Sequence, residues 1–345
     1  MEPAYIGIDL HKAFFQVCAV NGAGERTWEQ RWPTTDAGIA ALLTRCDTQS
    51  RLAVEASSPT WAFVDRIVDH VATVTVVDTR KTRIKAGYAA KTDRLDAQRL
   101  ADALRRDSVV GIYYPSPAIR DLRELCRYRC HLARLQASLK QRIHALLLRQ
   151  GVDAPRALFT KRGAQWLEGC SLAGWAGHEL QGLRRVMTDV RTQLVPVVAA
   201  IRTIAATDPV AHALDQRRGF GPVFSVTLRA EVGTIRRFPD GPHLASYAGL
   251  VPRVERSAGH RWTGRITKAG SPWLRWVLIE AAIHQFRRQD AFGRWGAPAR
   301  RQSRHVEDAR RGRAGTLHRS IRGVAARVTS PRRDRRRHGH PVVDL

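Results

Sequence analysis

Four carboxylates occupy positions from which they could act together on a phosphate. Asp9 and Glu55 each end a short apolar run that reads as a β-strand, and Asp93 and Asp96 stand three residues apart. On a helix that spacing puts both side chains on one face. Neighbouring strand ends and an adjacent helix can converge on one point of a mixed sheet, so the four acids together predict a single site.

Such a cluster of acids predicts a divalent metal. Carboxylates at close range raise each other's pKa values, and a hard cation with oxygen ligands removes that penalty. We therefore expect Mg²⁺, as two ions about 4 Å apart that serve in-line phosphoryl transfer. Taken singly, each acid reads better as a strand-end residue, a helix cap or a first-turn residue, and only the joint pattern favours a metal site. The predicted metal ligands and catalytic acids are Asp9, Glu55, Asp93 and Asp96.

The charge of the chain indicates what the site acts on. The 345 residues carry 58 Lys and Arg against 31 Asp and Glu, a net charge of +27. A charge of this size calls for a polyanionic partner, usually nucleic acid. All but seven of the cations are Arg, which favours bidentate phosphate contacts but is also what GC-rich codons produce. A merely basic enzyme is the weaker alternative.

Composition also bears on where the protein works. No apolar run approaches the roughly 18 residues that a membrane span needs, so no membrane partner is expected. The five Cys form no Cys-x-x-Cys pair, which supports neither a disulfide framework nor a thiolate zinc site. A reducing cytoplasm is the predicted location.

The elements that position the acids form a predicted α/β domain over residues 1–110. Their order is three strands, helix, strand, helix, strand, helix. Strands are predicted over 4–9, 14–20, 26–32, 51–55 and 73–78. Helices are predicted from 36, over 61–70, from about 81 and over 93–106.

A helical region, 111–210, is predicted to follow. Apolar residues at helical spacing over 118–148 predict a long helix or helical hairpin that serves as an extended linker or dimerising coiled coil. A second helical arm is predicted over 180–206, with Pro196 kinking or breaking it.

The region 211–286 reads as a mainly α third domain. Gly219-Phe220-Gly221-Pro222 before an apolar helix at 223–232 resembles the second half of a helix-hairpin-helix, which offers backbone N–H groups to phosphate; a plain turn is the alternative. Helices are predicted over 244–250 and 273–286, with a basic loop over 253–268. The tail 287–345, with 17 Arg and 5 acids, is predicted to be disordered.

Two sets of motifs resemble one family of enzymes. The segments YIGIDLHK at 5–12, VEAS at 54–57 and KTDRLDA at 91–97 resemble the DEDD, RuvC-like domain of the IS-110 insertion-sequence transposases, which implies an RNase H-like fold. The segments RGFGP at 218–222, YAGLVPR at 247–253 and GRITKAG at 264–270, with Phe238, resemble the family's C-terminal transposase domain. The resemblance covers roughly residues 4–286, with both sets in the family's order.

The resemblance implies DNA transposition. In this family a serine attacks DNA and forms a 5′-phosphoserine link, and the four acids hold Mg²⁺. A structured non-coding RNA, the bridge RNA, pairs with donor and target DNA, so the implied partners are the element ends, the target and this guide RNA. The implied active assembly is a tetramer with composite sites, in the bacterial cytoplasm at the nucleoid.

The serine that matches the family's nucleophile is Ser257, shortly after the YAGLVPR run. Ser271 is the second candidate, but Pro272 behind it favours a helix N-cap with Pro at the first helical position. Nucleic-acid contacts are predicted at Gly219, Gly221, Arg253, Arg256, Arg261, Arg265 and Lys268.

Two other functions stay open at this point. A RuvC-like structure-selective nuclease would need the four acids but not Ser257. An inactive nucleic-acid-binding remnant of a transposase would keep only the charge, and the Arg-rich tail, where family members continue with apolar helices, is what a degenerate copy would carry.

Overall fold

A computed structural model describes residues 4–78, 92–217, 219–257 and 260–286. The chain divides into two compact units, one ending at Tyr114 and the other beginning at Pro115. The helix predicted from about Lys81 and the tail predicted to be disordered lie outside the described residues.

The first unit is built on a five-stranded mixed sheet. Its strands are β1 (Tyr5–Leu10), β2 (Phe14–Val20), β3 (Arg26–Pro33), β4 (Arg51–Glu55) and β5 (Thr73–Val77). The order across the sheet is β3-β2-β1-β4-β5. The β1–β2 and β2–β3 pairs are antiparallel, and β4 is parallel to both β1 and β5. Every predicted strand is present, with bounds within one residue of those predicted.

Helices cover both faces of this sheet. On one face α1 (Asp36–Leu43) and α2 (Thr60–Val64) enclose a core that includes Phe15, Leu42 and Phe63. On the other, α3 (Asp93–Arg105) packs against β1, β2, β4 and β5 through Ala97, Leu100, Ala101 and Leu104.

The prediction of one helix over 61–70 is wrong. The helix α2 ends at Val64, and a 3₁₀ turn follows at Val68–His70. The N–H groups of Arg66 and Ile67 bond the carbonyls three residues earlier, so the chain tightens there and buries Ile67 in the core.

The second unit begins with two long antiparallel helices. They are α4 (Pro117–Arg149) and α6 (Gly174–Thr207), with α5 (Lys161–Gly169) between them. The break considered at Pro196 is absent, because α6 continues to Thr207. Val197 and Ile201 beyond it are buried in the shared core, and this packing holds the helix together where the proline removes one hydrogen bond.

The rest of the second unit combines short helices with a hairpin. The helices are α7 (Pro209–Asp215), α8 (Pro222–Val232), α9 (Gly241–Tyr247) and α10 (Pro272–Phe286), and a 3₁₀ turn lies at Ile235–Arg237. The Ser271 hydroxyl accepts a hydrogen bond from Leu274 N at 3.2 Å. Ser271 is therefore the N-cap that Pro272 predicted.

The basic loop predicted over 253–268 is instead a β-hairpin. It pairs β6 (Pro252–Ser257) with β7 (His260–Ile266). Its base is held by bonds from Thr267 N to Val251 O (2.8 Å) and from Lys268 N to Gly249 O (3.1 Å).

Among the described helices, no single one is long and apolar enough to cross a membrane. Only α6 and α7 taken as a pair reach that length and hydropathy, and they are bent by 98°.

Candidate metal centre

The carboxylate cluster starts at the carboxyl end of the two central parallel strands. Asp9 is the next-to-last residue of β1, and Glu55 is the last residue of β4. The parallel register pairs Ile8 with Val54, so the next residue on each strand is one of the two acids. The side chains of Glu55 and Asp9 share a hydrogen bond. The strand ends therefore bring these two predicted site residues together.

Burial changes the chemistry of Asp9. The residue is 5 % exposed, and this burial, together with the charge and hydrogen bond of Glu55, raises the pKa of its carboxyl from 3.8 to about 6, against a lowering by His11. A carboxyl held in its neutral form at higher pH than usual carries an electrostatic cost when it ionises. A bound cation would remove that cost.

Asp93 reaches the cluster from the helix on the same face. Thr92 caps α3, with its hydroxyl accepting from Leu95 N at 3.4 Å, and Asp93 opens the first turn. His11 bridges the two elements, with Nε2 lying 3.2 Å from Asp9 Oδ2 and 3.6 Å from Asp93 Oδ1.

Glycine lets this helix approach the sheet. A methyl group at Gly7 would lie 2.0 Å from Ala97 O and 2.5 Å from Ala101 N. The backbone of α3 therefore lies directly against β1, one turn beyond Asp93. Since Gly7 and Asp9 project from the same face of β1, this contact sets the height of Asp93 above Asp9.

Asp96 follows Asp93 by three residues on the same face of this helix. It stands one turn before Leu100, which packs against Ala53 of β4, so helical spacing puts Asp96 on the β4 side, where Glu55 ends the strand. Its carboxylate accepts a hydrogen bond from Arg99 Nη1 at 3.1 Å, and its side chain is 19 % exposed.

The donor atoms have the spacing of a metal site. One ligand atom each from Asp9, His11 and Asp93 lies within 4.8 Å of the others, a separation that atoms about 2.0–2.4 Å from one ion would show. Two carboxylates with Glu55 beside them supply hard oxygen ligands, and His11 adds a nitrogen. The residues present thus fit a divalent cation.

His11 is a candidate site residue that sequence reasoning missed. The signal was present, because His11 follows Asp9 by two residues in the segment YIGIDLHK. Its proximity to Asp93, however, depends on the packing of α3 against Gly7, which no local pattern contains.

The predicted nucleophile lies in the second unit. Ser257 is the last residue of β6 and pairs with His260 of β7 at the distal end of the hairpin. The opposite end is clamped to α9, since a methyl at Gly270 would lie 1.9 Å from Tyr247 O. The hairpin thus carries Ser257 on a paired stem rather than in an irregular loop.

The residues predicted to contact nucleic acid lie at two places in the second unit, the β6–β7 hairpin and the turn that leads into α8. Arg253, Arg265 and Lys268 are exposed on or beside the hairpin, whose strands also contain Arg256 and Arg261. Gly219 has a φ of +92° and lies in the turn between α7 and α8.

Gly221 is the N-cap residue of α8, at the end of this turn. It caps α8 without a side-chain hydrogen bond, and a methyl group there would meet nothing within 4 Å. The start of α8 thus borders open space at this glycine.

Comparison with known proteins gives two family matches in sequence order. Residues 6–150 match the family of DEDD transposases of IS110, described as transposase. Residues 211–295 match the family described as transposase IS116/IS110/IS902. The first match contains all four acids and His11, and the second contains Ser257.

Three relatives agree with these matches. The chain is 27% identical over 311 residues to a Pseudomonas aeruginosa protein named as a family 20 transposase, covering 86% of this chain and 89% of the relative. It is 24% identical over 288 residues to the Coxiella burnetii transposase for insertion sequence element IS1111A, covering 80% and 76%. It is 31% identical over 207 residues to a Sinorhizobium fredii protein, y4qE, named as a transposase, covering 57% of this chain and about half (49%) of that protein.

Proposed function

The chain belongs to the IS110 family of transposases, and we propose that it catalyses the transposition of an insertion sequence by cutting and rejoining DNA strands. The observation that carries this proposal is the meeting of Asp9, His11 and Asp93 within the span of one metal site, with Glu55 hydrogen-bonded to Asp9. An RNase H-like fold for the first unit accords with its β3-β2-β1-β4-β5 sheet, with three strands meandering before the parallel pair.

The ions of this site are two Mg²⁺, held by Asp9, Glu55, Asp93 and Asp96. Bound there, Mg²⁺ would stabilise negative charge on the phosphate under attack and on the leaving oxygen. The chain's own contribution is placement. The strand ends fix Asp9 and Glu55, and the close packing of α3 on Gly7 fixes Asp93 and Asp96 above them.

Ser257 is the nucleophile. Its oxygen attacks the phosphorus of a DNA phosphodiester and forms a new P–O bond, while the phosphorus keeps its bond to the 5′ oxygen. The bond to the 3′ oxygen breaks, and that oxygen takes up the proton that the serine hydroxyl loses. Arg253, Arg256 and Arg261 lie on the same hairpin, and their charges suit the phosphate. A hydroxyl needs such electrostatic help because it is a weak nucleophile by itself.

The nucleic-acid partners are the element ends, the target DNA and a structured non-coding guide RNA. The charge of +27 supports contacts that are mainly to phosphate. Exposed Arg253, Arg265 and Lys268 supply cations on the hairpin, and Gly219 and Gly221 supply backbone N–H groups at the start of α8. These partners place the protein in the bacterial cytoplasm at the nucleoid.

The active assembly is a tetramer with composite sites. The four acids belong to one unit and Ser257 to the other, and a composite site would join the acids of one protomer with the serine of another. Such an arrangement delays cleavage until every partner is assembled.

The test is a covalent protein–DNA adduct. Wild-type protein with its guide RNA, both DNA partners and Mg²⁺ should give an adduct that peptide mass spectrometry maps to Ser257, and Asp9→Asn should give none. Cleavage without any adduct would identify a structure-selective nuclease. Absence of both cleavage and adduct under every divalent cation tried would identify a binding remnant.

A further inference from the structure

A row of polar side chains leads away from the metal centre across the sheet. Asp9 pairs with Gln16 across β1 and β2, and Gln16 pairs with Arg31 across β2 and β3. Residues directly opposite in antiparallel strands project from the same face. Two inter-strand spacings put the Arg31 Cα roughly 10 Å from the Asp9 Cα, on the edge strand of the sheet.

A pocket lies along this row. Its volume is about 460 Å³, within the range of sites that hold small ligands. Asp93 lines this pocket and also belongs to the metal centre, so the two adjoin at this residue. The lining residues are Gln16, Glu29, Gln30, Arg31, Thr92, Asp93 and Arg94.

Arg31 differs from the arginines around it. Arg26 and Arg94 both form ion pairs with Glu29, which also accepts a bond from Gln16 Nε2 at 3.2 Å. The Arg31 side chain is exposed, and it has no hydrogen-bond or ion-pair partner within the part of the chain that the structure describes.

The orientation of Arg31 is nevertheless fixed. Its Cζ atom lies 3.4 Å from the centre of the Phe14 ring. The Phe14 ring is itself held in place by the His11 ring, whose centre lies 4.7 Å away. A guanidinium held over the face of an aromatic ring directs its donors outward, away from the ring, and has already lost part of its side-chain freedom. Arg31 is thus a pre-oriented cation whose donors are not used within the described chain.

We infer that Arg31 binds a phosphodiester one or two nucleotides from the phosphate that reacts at the metal centre. The guanidinium fork matches phosphate oxygens bidentately, and Gln16 places a side-chain amide in the pocket between Arg31 and the metal centre. A nucleic-acid strand would then cross β2 and β3 to enter the site. This inference rests on the proposed function, because it takes the reacting strand to be nucleic acid.

The test uses thymidine 3′,5′-bisphosphate as the probe and hydrogen–deuterium exchange as the readout, on the full-length protein in EDTA at low salt. Exchange of peptides within 14–33 should slow on binding. Arg31→Gln should need about ten times more probe for the same protection, since one charge-assisted bidentate contact is lost.

Arg45→Gln is the matched control. Arg45 is also exposed and lies over an aromatic ring, Trp28, at 5.6 Å, but Trp28 packs on the core of the opposite face. This variant should bind the probe like the wild type and have the same melting temperature as Arg31→Gln.

Two results would overturn the inference. One is equal protection of 14–33 in the wild type and in Arg31→Gln, and the other is no protection of these peptides in the wild type at any probe concentration. Failure of the proposed function shows differently, as an adduct that persists in Asp9→Asn. The binding measurement in EDTA does not depend on that adduct, and Asp9→Asn should bind the probe at least as tightly as wild type because a negative charge is removed.

Discussion

The carbonyl oxygen of Ala97 lies where a side chain at position 7 would begin: a methyl on Gly7 would stand 2.0 Å from it. Gly7→Ala must therefore push α3 away from β1, at a cost of about 1–3 kcal/mol in unfolding free energy. The same shift separates Asp93 from Asp9 and weakens metal binding. Urea unfolding and Mg²⁺ titration should both report the loss.

Gly182→Ala is the control for this first prediction. Gly182 lies inside α6, and a methyl there meets nothing within 4 Å. Alanine should stabilise the helix by about 0.5–1 kcal/mol. A Gly7→Ala protein as stable as wild type and with unchanged Mg²⁺ affinity would contradict the close packing of α3 on β1.

The second prediction concerns Asp9 and pH. Burial first, and then Glu55, raise the pKa of its carboxyl in the folded chain from 3.8 to about 6, so the folded state holds the proton more tightly than the unfolded state. The metal-free protein should lose this stabilisation as pH rises from about 4 to about 6. Asp9→Asn cannot ionise, and it should be more stable than wild type at pH 7 by on the order of 1–3 kcal/mol.

Thermal melts in EDTA at about pH 4 and pH 7 measure this difference, which should appear only at the higher pH. Adding Mg²⁺ at pH 7 should raise the melting temperature of the wild type by mass action and leave Asp9→Asn unchanged. Asp69→Asn removes an exposed acid from the same unit and should respond to Mg²⁺ like the wild type. An Asp9→Asn protein less stable than wild type at pH 7 would refute the electrostatic cost assigned to Asp9.

The third prediction compares two ion pairs of the second unit. Glu231 of α8 is 2 % exposed and receives two bonds from Arg127 of α4, at 3.0 and 3.3 Å. Glu179 is 39 % exposed and lies 3.4 Å from Arg149. Glu231→Ala removes a buried carboxylate but leaves Arg127, which is 38 % exposed, able to reach water, so it should cost about 1–3 kcal/mol, whereas Glu179→Ala should cost no more than about 1 kcal/mol.

Urea unfolding at low and high salt tests this pair of variants. Salt should reduce the small effect of Glu179→Ala and leave the effect of Glu231→Ala nearly unchanged, because buried charges are screened less. Equal losses in the two variants would mean that the buried pair does not join α4 to α8 in solution.

The fourth prediction concerns the base of the hairpin. Gly270 has a φ of +118°, and a methyl there would lie 1.9 Å from Tyr247 O. Gly270→Ala should loosen the clamp, so that peptides within 252–266 exchange deuterium faster and adduct formation falls. Gly264→Ala, where the added methyl lies 3.7 Å from Arg253 Cβ, should change neither. Unaltered exchange in Gly270→Ala would show that the base is not held by this contact.

Much of the first unit could be predicted because its signals are local. Alternating or continuous apolar residues mark the strands, and the acids at the ends of β1 and β4 follow directly from those bounds. The meeting of Asp9 with Glu55 needed only the parallel pairing of adjacent strands. The helix start at Asp93 was predicted as well, from the amphipathic spacing that follows it, although the structure has Thr92 rather than Asp93 as the cap.

The features that were missed depend on contacts between distant segments. The hairpin of β6 and β7 has little apolar alternation, and Val254 is 43 % exposed, so it lacks the half-buried pattern by which strands are recognised. The continuity of α6 through Pro196 comes from packing against α4. His11 lies close to Asp93 only because α3 packs against Gly7. This contact joins Gly7 to Ala97, 90 residues later in the sequence.

The last prediction tests whether the acids and the serine act across protomers. Ser257→Ala lacks the proposed nucleophile and Asp9→Asn lacks a proposed metal ligand, so neither protein alone should form an adduct with guide RNA, both DNA partners and Mg²⁺. In a composite site, the intact acids of a Ser257→Ala protomer can serve the intact serine of an Asp9→Asn protomer. Mixing the two proteins should restore some cleavage and give an adduct on the Asp9→Asn chain only.

Ser271→Ala separates a structural serine from the proposed nucleophile. Loss of the N-cap bond to Leu274 N should cost about 1 kcal/mol, while the protein alone still forms the adduct. An adduct on Ser257→Ala alone, or one that peptide mass spectrometry maps to Ser271, would show that Ser257 is not the nucleophile. As a control, wild-type protein is mixed with each variant in turn. If these two control mixtures are active and the mixture of the two variants is not, the acids and the serine must act within one protomer. In that case neither variant contains a complete site, and mixing them cannot create one.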